Sequence, residues 1–146
     1  MELKDPNYHQ KLIEMCDCYM DTDFVPQIKK HANGESADPL EDAFVYLALA
    51  IMYSISEKAR KLSFKKKAEK LSVMIKTDEK KALPSPPPAV FDKILEIMRT
   101  ILHIEDDKGD SVLALGLKND EIDVRVKMER ENNKESLKFK FPDLGG

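Results

Sequence analysis

In the first half of the chain, apolar residues recur every three or four positions, which is the spacing of an amphipathic helix. Asp5-Pro6 combines a capping side chain with a proline at the first helical position. The apolar stripe that follows predicts helix 1, which we expect to end near Asp21. Pro26 and the segment His31–Gly34 interrupt the pattern, so a short helical turn and a loop are expected there.

The second predicted helix is long and central. Asp38-Pro39 repeats the start pattern, and the apolar residues of Ala43–Ile55 are interrupted only by Ser54. A membrane span needs about twenty apolar residues, so this stretch predicts a helix buried nearly all round and no membrane span. The helical pattern continues to about Lys76, but its apolar stripe changes face near Leu62-Ser63-Phe64. Either the helix bends there, or it projects and uses a second stripe against another subunit. This predicted partner-binding stripe comprises Phe64, Ala68, Leu71 and Ile75.

The pattern changes after a proline-rich segment. Residues 82–88 form a predicted stiff linker, because consecutive prolines favour an extended backbone. Helix 3 follows and is expected to end before Asp106. After Gly109 the apolar spacing becomes two, which predicts a three-stranded antiparallel meander. Its strands are expected at Ser111–Leu117, Ile122–Met128 and Leu137–Phe141. An alternative places a further strand at Ile101–Glu105, paired through the turn that follows it.

These elements predict an α+β fold of three helices, the second long and central, followed by the three-stranded antiparallel β-meander. We expect a single domain, residues 1–146, with a helical part at 1–81, a linker at 82–88, and helix 3 with the meander at 89–146. A chain of 146 residues is long enough to bury most of its apolar surface. The apolar face of the meander must be covered, most simply by helix 2 or helix 3.

Charge is distributed unevenly along the chain, although the net formal charge is only −3. Residues 1–57 sum to −7, residues 58–81 to +7, and residues 82–146 to −3. The basic patch of the predicted helix comprises Lys58, Arg60, Lys61, Lys65, Lys66, Lys67 and Lys70. Such a patch can bind nucleic acid by releasing counterions from the phosphate backbone. The segment holds one arginine and one aromatic residue, Phe64, whereas nucleic-acid sites favour arginine and stacking rings. A solvated helix face, or a contact with the acidic residues 1–57 of the same or another subunit, explains the patch better.

Acidic side chains on two predicted helices indicate an alternative, enzymatic function. Glu14 and Asp17 lie one turn apart on helix 1, while Glu41 and Asp42 open helix 2. Facing carboxylate pairs can hold Mg²⁺ and organise a pyrophosphate group. The arrangement is similar in outline to the all-α nucleoside triphosphate pyrophosphohydrolases over residues 14–42, although that family has Glu where this chain has Asp17. Helix capping and solvent exposure explain these acids better, so we predict no catalytic residue and no cofactor, with Mg²⁺ as the alternative.

Cysteine and histidine residues predict no metal site. Structural zinc sites use paired ligands at short fixed spacings, and no such pair occurs among His9, Cys16 and Cys18. Cys16 lies on the apolar stripe of helix 1, so it is expected to be a buried core thiol. Reduced thiols, together with a first segment that lacks the basic and apolar regions of a secretory leader, predict a cytoplasmic location.

The function predicted from the sequence is that of a non-enzymatic intracellular interaction protein of the adaptor, immunity or antitoxin-like kind. Self-association as a homo-oligomer is expected, because the apolar second helix and its two faces predict more apolar surface than one copy can bury. A protein partner is the other expectation. The two alternatives are Mg²⁺-dependent nucleotide hydrolysis by the helix-borne carboxylates, and nucleic-acid binding through the basic helix 58–70, which is less favoured.

Overall fold

The computed structural model describes residues 8–19, 23–32, 38–117 and 120–142. Within these residues the chain forms four helices and six strands, an α+β architecture with helices on one face of an antiparallel sheet. The helices are α1 (Tyr8–Cys18), α2 (Phe24–Ala32), α3 (Pro39–Ser56) and α4 (Pro88–Leu102). The strands are β1 (Lys61–Lys67), β2 (Lys70–Lys76), β3 (Lys80–Leu83), β4 (Lys108–Leu117), β5 (Asp120–Glu131) and β6 (Lys134–Lys140).

The sheet has the strand order β3-β2-β1-β6-β5-β4, and every neighbouring pair is antiparallel. Its centre is the pairing of β1 with β6, which joins an early hairpin to the last strand of the chain. Phe64 of β1 lies opposite Val73 of β2 and Leu137 of β6, and all three side chains are buried. Because side chains alternate along a strand, these residues define the covered face and their sequence neighbours point to the opposite, open face.

Helix α3 forms the centre of the helical layer. Its first turn is capped by Asp38, whose Oδ1 accepts a hydrogen bond of 3.1 Å from the backbone N–H of Glu41. All residues from Ala43 to Met52 are buried, and the Ser54 hydroxyl is satisfied by donating to the Ala50 carbonyl at 2.8 Å. By length and composition α3 could cross a membrane, but 61% of that stretch is buried inside this fold, as in a core helix.

An aromatic cluster joins the helical layer to the sheet. The ring of Phe64 lies 6.2 Å from that of Tyr46 on α3, 6.0 Å from that of Phe91 on α4, and 6.1 Å from that of Phe139 on β6, measured between centroids. All four contacting rings are fully buried and meet edge to face. This cluster fixes the sheet against α3 and α4.

The predicted long second helix is wrong beyond Ser56, as is the fold of three helices plus a three-stranded meander. After α3 the chain turns at Glu57–Lys58, where Lys58 has a positive φ of 55°, and then forms β1, β2 and β3. The helical part therefore does not extend to residue 81. More buried residues alternate with less buried ones in Leu62-Ser63-Phe64 and in Leu71–Ile75, which is the period of a strand.

The last three strands form where the meander was predicted, but they make up half of a six-stranded sheet. The alternative strand at Ile101–Glu105 is wrong, because Ile101 and Leu102 end α4 and His103 has a left-handed φ of 56°. The short helical turn expected around Pro26 is the nine-residue helix α2, Phe24–Ala32. Asp5-Pro6 and Asp21 lie outside the described residues.

The proline-rich segment connects β3 to α4. The Tyr46 hydroxyl donates a hydrogen bond to the Pro84 carbonyl, and the Ser85 hydroxyl donates to the Leu71 carbonyl at 3.3 Å. Helix α4 begins at Pro88, and Pro87 is its N-cap residue. A proline is tolerated at the first helical position because the N–H that it lacks would have no partner within the helix. This connection is therefore held against both α3 and β2.

Candidate functional site

The open face of the sheet carries an unusual concentration of lysine. Strands β3, β2, β1 and β6 present fourteen open-face positions, of which nine are lysine and none is acidic. The other five positions are three serines, one methionine and one alanine. We call these fourteen positions the lysine face. Its lysines are Lys61, Lys65, Lys67, Lys70, Lys76, Lys80, Lys134, Lys138 and Lys140.

Strand register places five basic side chains in one row across five strands. Lys80 lies opposite Lys76, which lies opposite Lys61, and the row continues through Lys140 to Arg125 on β5. Since neighbouring strands are about 4.8 Å apart, the row spans about 19 Å. Mutual repulsion along it lowers the pKa of Lys61, chiefly through Lys140, with burial, Lys76, Lys138 and Lys80 adding to the effect. The row is therefore a line of like charges.

Two shallow depressions lie on this face, and Lys138 contributes to both of them. One has a volume of about 170 Å³ and five lysines at its rim: Lys61, Lys65, Lys76, Lys80 and Lys138. The other has a volume of about 210 Å³ and is lined by Arg125, Lys127, Lys138 and Lys140 together with a single acid, Asp110. Both depressions are therefore suited to anionic groups.

Uncharged residues of the lysine face are small or flexible. Ser63 and Ser72 place hydroxyl groups between the lysines, and Met74 and Ala82 are its apolar members. None of these fourteen described positions is aromatic. The surface can therefore offer cations and hydroxyl groups, but no ring for stacking.

The charge of the open face changes towards its other edge. Strands β5 and β4 add Arg125, Lys127 and Lys108, but they also place five acids there: Asp110, Glu121, Asp123, Glu129 and Glu131. Positive charge is thus concentrated over four strands, and the acids limit it on one side. The location of the charge, rather than the net total of −3, determines the local field.

The predicted basic patch is divided by the strand geometry. Lys61, Lys65, Lys67 and Lys70 lie on the lysine face, while Lys66 points to the helical side and its Nζ lies 3.1 Å from Asp92 Oδ1. Lys58 and Arg60 are exposed in the segment before β1.

The basic patch predicted from the sequence did not include five lysines of the lysine face: Lys76, Lys80, Lys134, Lys138 and Lys140. The alternation in Leu137–Phe141 does place Lys138 and Lys140 on one face, but only the pairing of β6 with β1 brings them beside the earlier lysines.

The predicted partner-binding residues do not share a surface. Phe64 and Ile75 are fully buried, and Leu71 packs against the core. Ala68 is exposed in the β1–β2 turn, with a positive φ of 54°. The second helical stripe from which this prediction came does not form, because the segment is a hairpin.

The four carboxylates of the enzymatic alternative lie on α1 and the first turn of α3. Glu41 Oε1 accepts from Lys11 Nζ at 2.6 Å, and Glu14 accepts from the Gln10 side chain at 3.2 Å. Within the described ranges, no three His, Cys, Asp or Glu side chains lie close enough together to hold a metal ion. Asp17 and Asp42 also have interaction partners. Glu41 and Glu14 therefore make contacts within the helical layer.

The two thiols have different environments. Cys16 is fully buried, and this burial, with the nearby charge of Asp17, raises the pKa of its thiol to about 12. Cys18 is exposed, and neither cysteine forms a disulfide. On the same helix, the ring nitrogen Nε2 of His9 lies 2.6 Å from the Ala114 carbonyl of β4. Cys16 is therefore the buried core thiol that its position on helix 1 predicted.

A cleft of about 530 Å³ lies between α4 and the covered side of the sheet. Its charges are mixed and largely used within the fold. Lys66 pairs with Asp92, while Arg130 Nη2 lies 3.1 Å from Asp107 Oδ1. Arg99 donates to the carbonyls of Ile104 at 3.3 Å and Asp106 at 2.9 Å, so it closes the end of α4. The cleft thus has less free positive charge than the lysine face.

Comparison of the chain with models of known protein families and with curated protein sequences gives no significant match. Function is therefore inferred from the chemistry of the surface itself.

Proposed function

We propose that this protein is a non-enzymatic interaction protein that binds a negatively charged macromolecule on its lysine face. The observation that carries the proposal is the presence of nine lysines and no acid among fourteen adjacent open-face positions. Like charges directly opposite one another destabilise a sheet. A bound polyanion neutralises this repulsion, so the surface is suited to a partner rather than to solvent alone.

The fold supports this role by making the surface rigid. The covered face of the same strands packs on α3 and α4 through Phe64 and its neighbouring rings, so the lysine backbones are held in register. The charged ends of long lysine side chains remain free to adjust to a partner. A rigid row with mobile charges is typical of recognition by charge rather than by shape.

Self-association remains a further prediction. A charge-based contact between copies would place the acidic first part of one chain, residues 1–57 with a net charge of −7, against the lysine face of the other. Light scattering behind a sizing column at low and high salt measures this directly. An oligomer that dissociates in high salt supports such a charge-based contact, whereas one that persists indicates an apolar interface.

The main experiment compares two variants with the same change of net charge. The test variant is Lys61→Gln/Lys76→Gln/Lys140→Gln in the central row, and the matched control is Lys29→Gln/Lys30→Gln/Lys93→Gln on α2 and α4. Heparin serves as the polyanion on a column eluted with a salt gradient. We expect the test variant to elute at clearly lower salt than the control and the wild type.

Thermal unfolding at low salt is the folding control for the same proteins. Because the substitutions remove like charges from one row, we expect the test variant to be no less stable than the wild type. If the two triple variants elute together, the position of the lysines has no importance and the proposed function is wrong.

A further inference from the structure

We infer that the negatively charged partner is nucleic acid, held as a duplex through its phosphate backbone and without recognition of base sequence. This inference rests on the proposed function and makes it specific. It depends on which residue types the lysine face contains and which it lacks. Three comparisons, with a protein surface, a lipid surface and a single strand, lead to it.

A protein partner is less suited to this surface. Protein–protein interfaces are enriched in tyrosine, tryptophan and arginine and depleted in lysine, and a few buried aromatic or arginine anchors supply most of the binding energy. The lysine face has the opposite composition, since it contains nine lysines and neither an arginine nor an aromatic residue. It therefore has no anchor of the usual kind.

A lipid surface is also less suited. Peripheral membrane segments combine basic residues with tryptophan, phenylalanine or leucine side chains that enter the interface. Among the described residues, the exposed large hydrophobic side chains are Val25 on α2 and Val112 on β4, which are 39% and 51% exposed. Val25 is on the helical side. Val112 is on the open face opposite Arg125, on the edge strand β4, but it lies outside the fourteen positions of the lysine face and is a single short side chain rather than a tryptophan, phenylalanine or leucine.

A phosphate backbone matches what this surface does contain. Lysine and serine side chains are common ligands of phosphate oxygens, and here Ser63 and Ser72 lie among the lysines. Duplex DNA carries about one charge per 1.7 Å of its axis, so about 11 phosphate charges accompany the 19 Å of the basic row. A linear array of cations is thus placed against a linear array of anions.

The absence of aromatic side chains favours a duplex over a single strand. Proteins that bind single strands stack the bases on aromatic rings, and each stacked base contributes about 1–3 kcal/mol. The lysine face offers no such ring. Bases are identified by bidentate contacts from arginine or lysine and from asparagine or glutamine, but the ammonium of lysine is a point charge without the planar fork of arginine. The fourteen positions of the lysine face contain no arginine, asparagine or glutamine, and the nearby arginines lie beside it, Arg125 at the end of the row and Arg60 before Lys61. Recognition of the backbone alone follows.

The test is fluorescence anisotropy of the full chain with a labelled 20-base-pair DNA duplex of arbitrary sequence. If the five row residues each contact one phosphate, affinity falls about 500-fold between 50 and 200 mM salt, from a slope of about −0.9 per contact. In Lys61→Gln/Lys76→Gln/Lys140→Gln two contacts remain, and the same change of salt weakens binding only about 12-fold. The control triple variant at Lys29, Lys30 and Lys93 is expected to keep the wild-type slope.

Four further measurements distinguish the outcomes. A second duplex of unrelated sequence should bind equally well, and a large preference for one sequence overturns the inference. Tighter binding of the separated single strand overturns the choice of a duplex. Binding to vesicles containing phosphatidylserine, or to polyglutamate, without binding to the duplex overturns nucleic acid as the partner. If heparin retention depends on the row but the duplex does not bind, this inference fails while the proposed function stands.

Discussion

Replacing Phe64 with alanine tests the position of β1 in the fold. Phe64 is fully buried and contacts three other buried rings, one from each of α3, α4 and β6. A buried Phe→Ala substitution costs about 3–5 kcal/mol, and each aromatic pair adds about 0.5–1.5 kcal/mol beyond buried area. Because three pairs are lost together, we expect a decrease in the free energy of unfolding near the upper end, about 4–5 kcal/mol.

This loss is a large part of the stability of an ordinary domain, which is about 5–15 kcal/mol. For a chain of this size it corresponds to a decrease in Tm of roughly 8–20 °C, from about 2–4 °C per kcal/mol. Urea unfolding followed by far-ultraviolet circular dichroism measures the free energy, and the chain has no tryptophan that would allow a simpler assay. Phe64→Leu keeps most of the volume and should lose less.

Val112→Ala is the matched control, because it also removes apolar atoms from a strand but at a half-exposed edge position. We expect it to change stability by less than about 0.5 kcal/mol. The alternative is a surface role for Phe64 in self-association. The buried position would be refuted by a Phe64→Ala protein whose free energy of unfolding lies within about 1 kcal/mol of the wild-type value and whose oligomer dissociates, so that its mass in solution is lower.

Three further predictions concern the helical layer. Asp38→Ala removes the cap of α3 and should lower stability by about 1 kcal/mol, whereas Asp38→Ser should retain most of it; chemical unfolding of the pair measures the difference. One thiol per native chain, Cys18, should react with a thiol reagent, and Cys16 should react only after unfolding. Burial raises the pKa of Cys16 from its ordinary value near 9 to about 12. Its contribution to stability is therefore full below pH 9 and decreases between pH 9 and about 12. Unfolding curves measured across this pH range test this dependence.

Helix α3 was the element that the sequence predicted best. Asp38-Pro39 starts it, and the nearly continuous apolar run of Ala43–Ile55 requires a buried position for any helix that contains it. Its end could not be predicted in the same way. The segment after Ser56 is rich in lysine, alanine, leucine and glutamate, which favour helices when tertiary contacts are ignored.

The early hairpin lacked a recognisable turn. Ala68-Glu69 connects β1 to β2, yet neither residue is a usual turn former, and Ala68 adopts a positive φ that glycine or asparagine normally takes. The strand period was present in Leu62-Ser63-Phe64 and Leu71–Ile75, but each stretch is short enough to fit a helical stripe as well. Pairing with β6 and burial against α3 determine which of the two forms.

The sequence by itself determined the α+β class, the start of α3, the position of α4, the three strands after Gly109, the buried Cys16 and the uneven charge. Several lysines are close together in one segment of the sequence. The apolar pattern of that segment predicted a helix, on which these lysines would point in many directions. Only the tertiary structure brings Lys61, Lys76 and Lys140 into one row, because strand register is a non-local property set by which strands pair and which face is buried. The candidate site is therefore a product of sheet pairing, which joins segments nearly 80 residues apart in the chain.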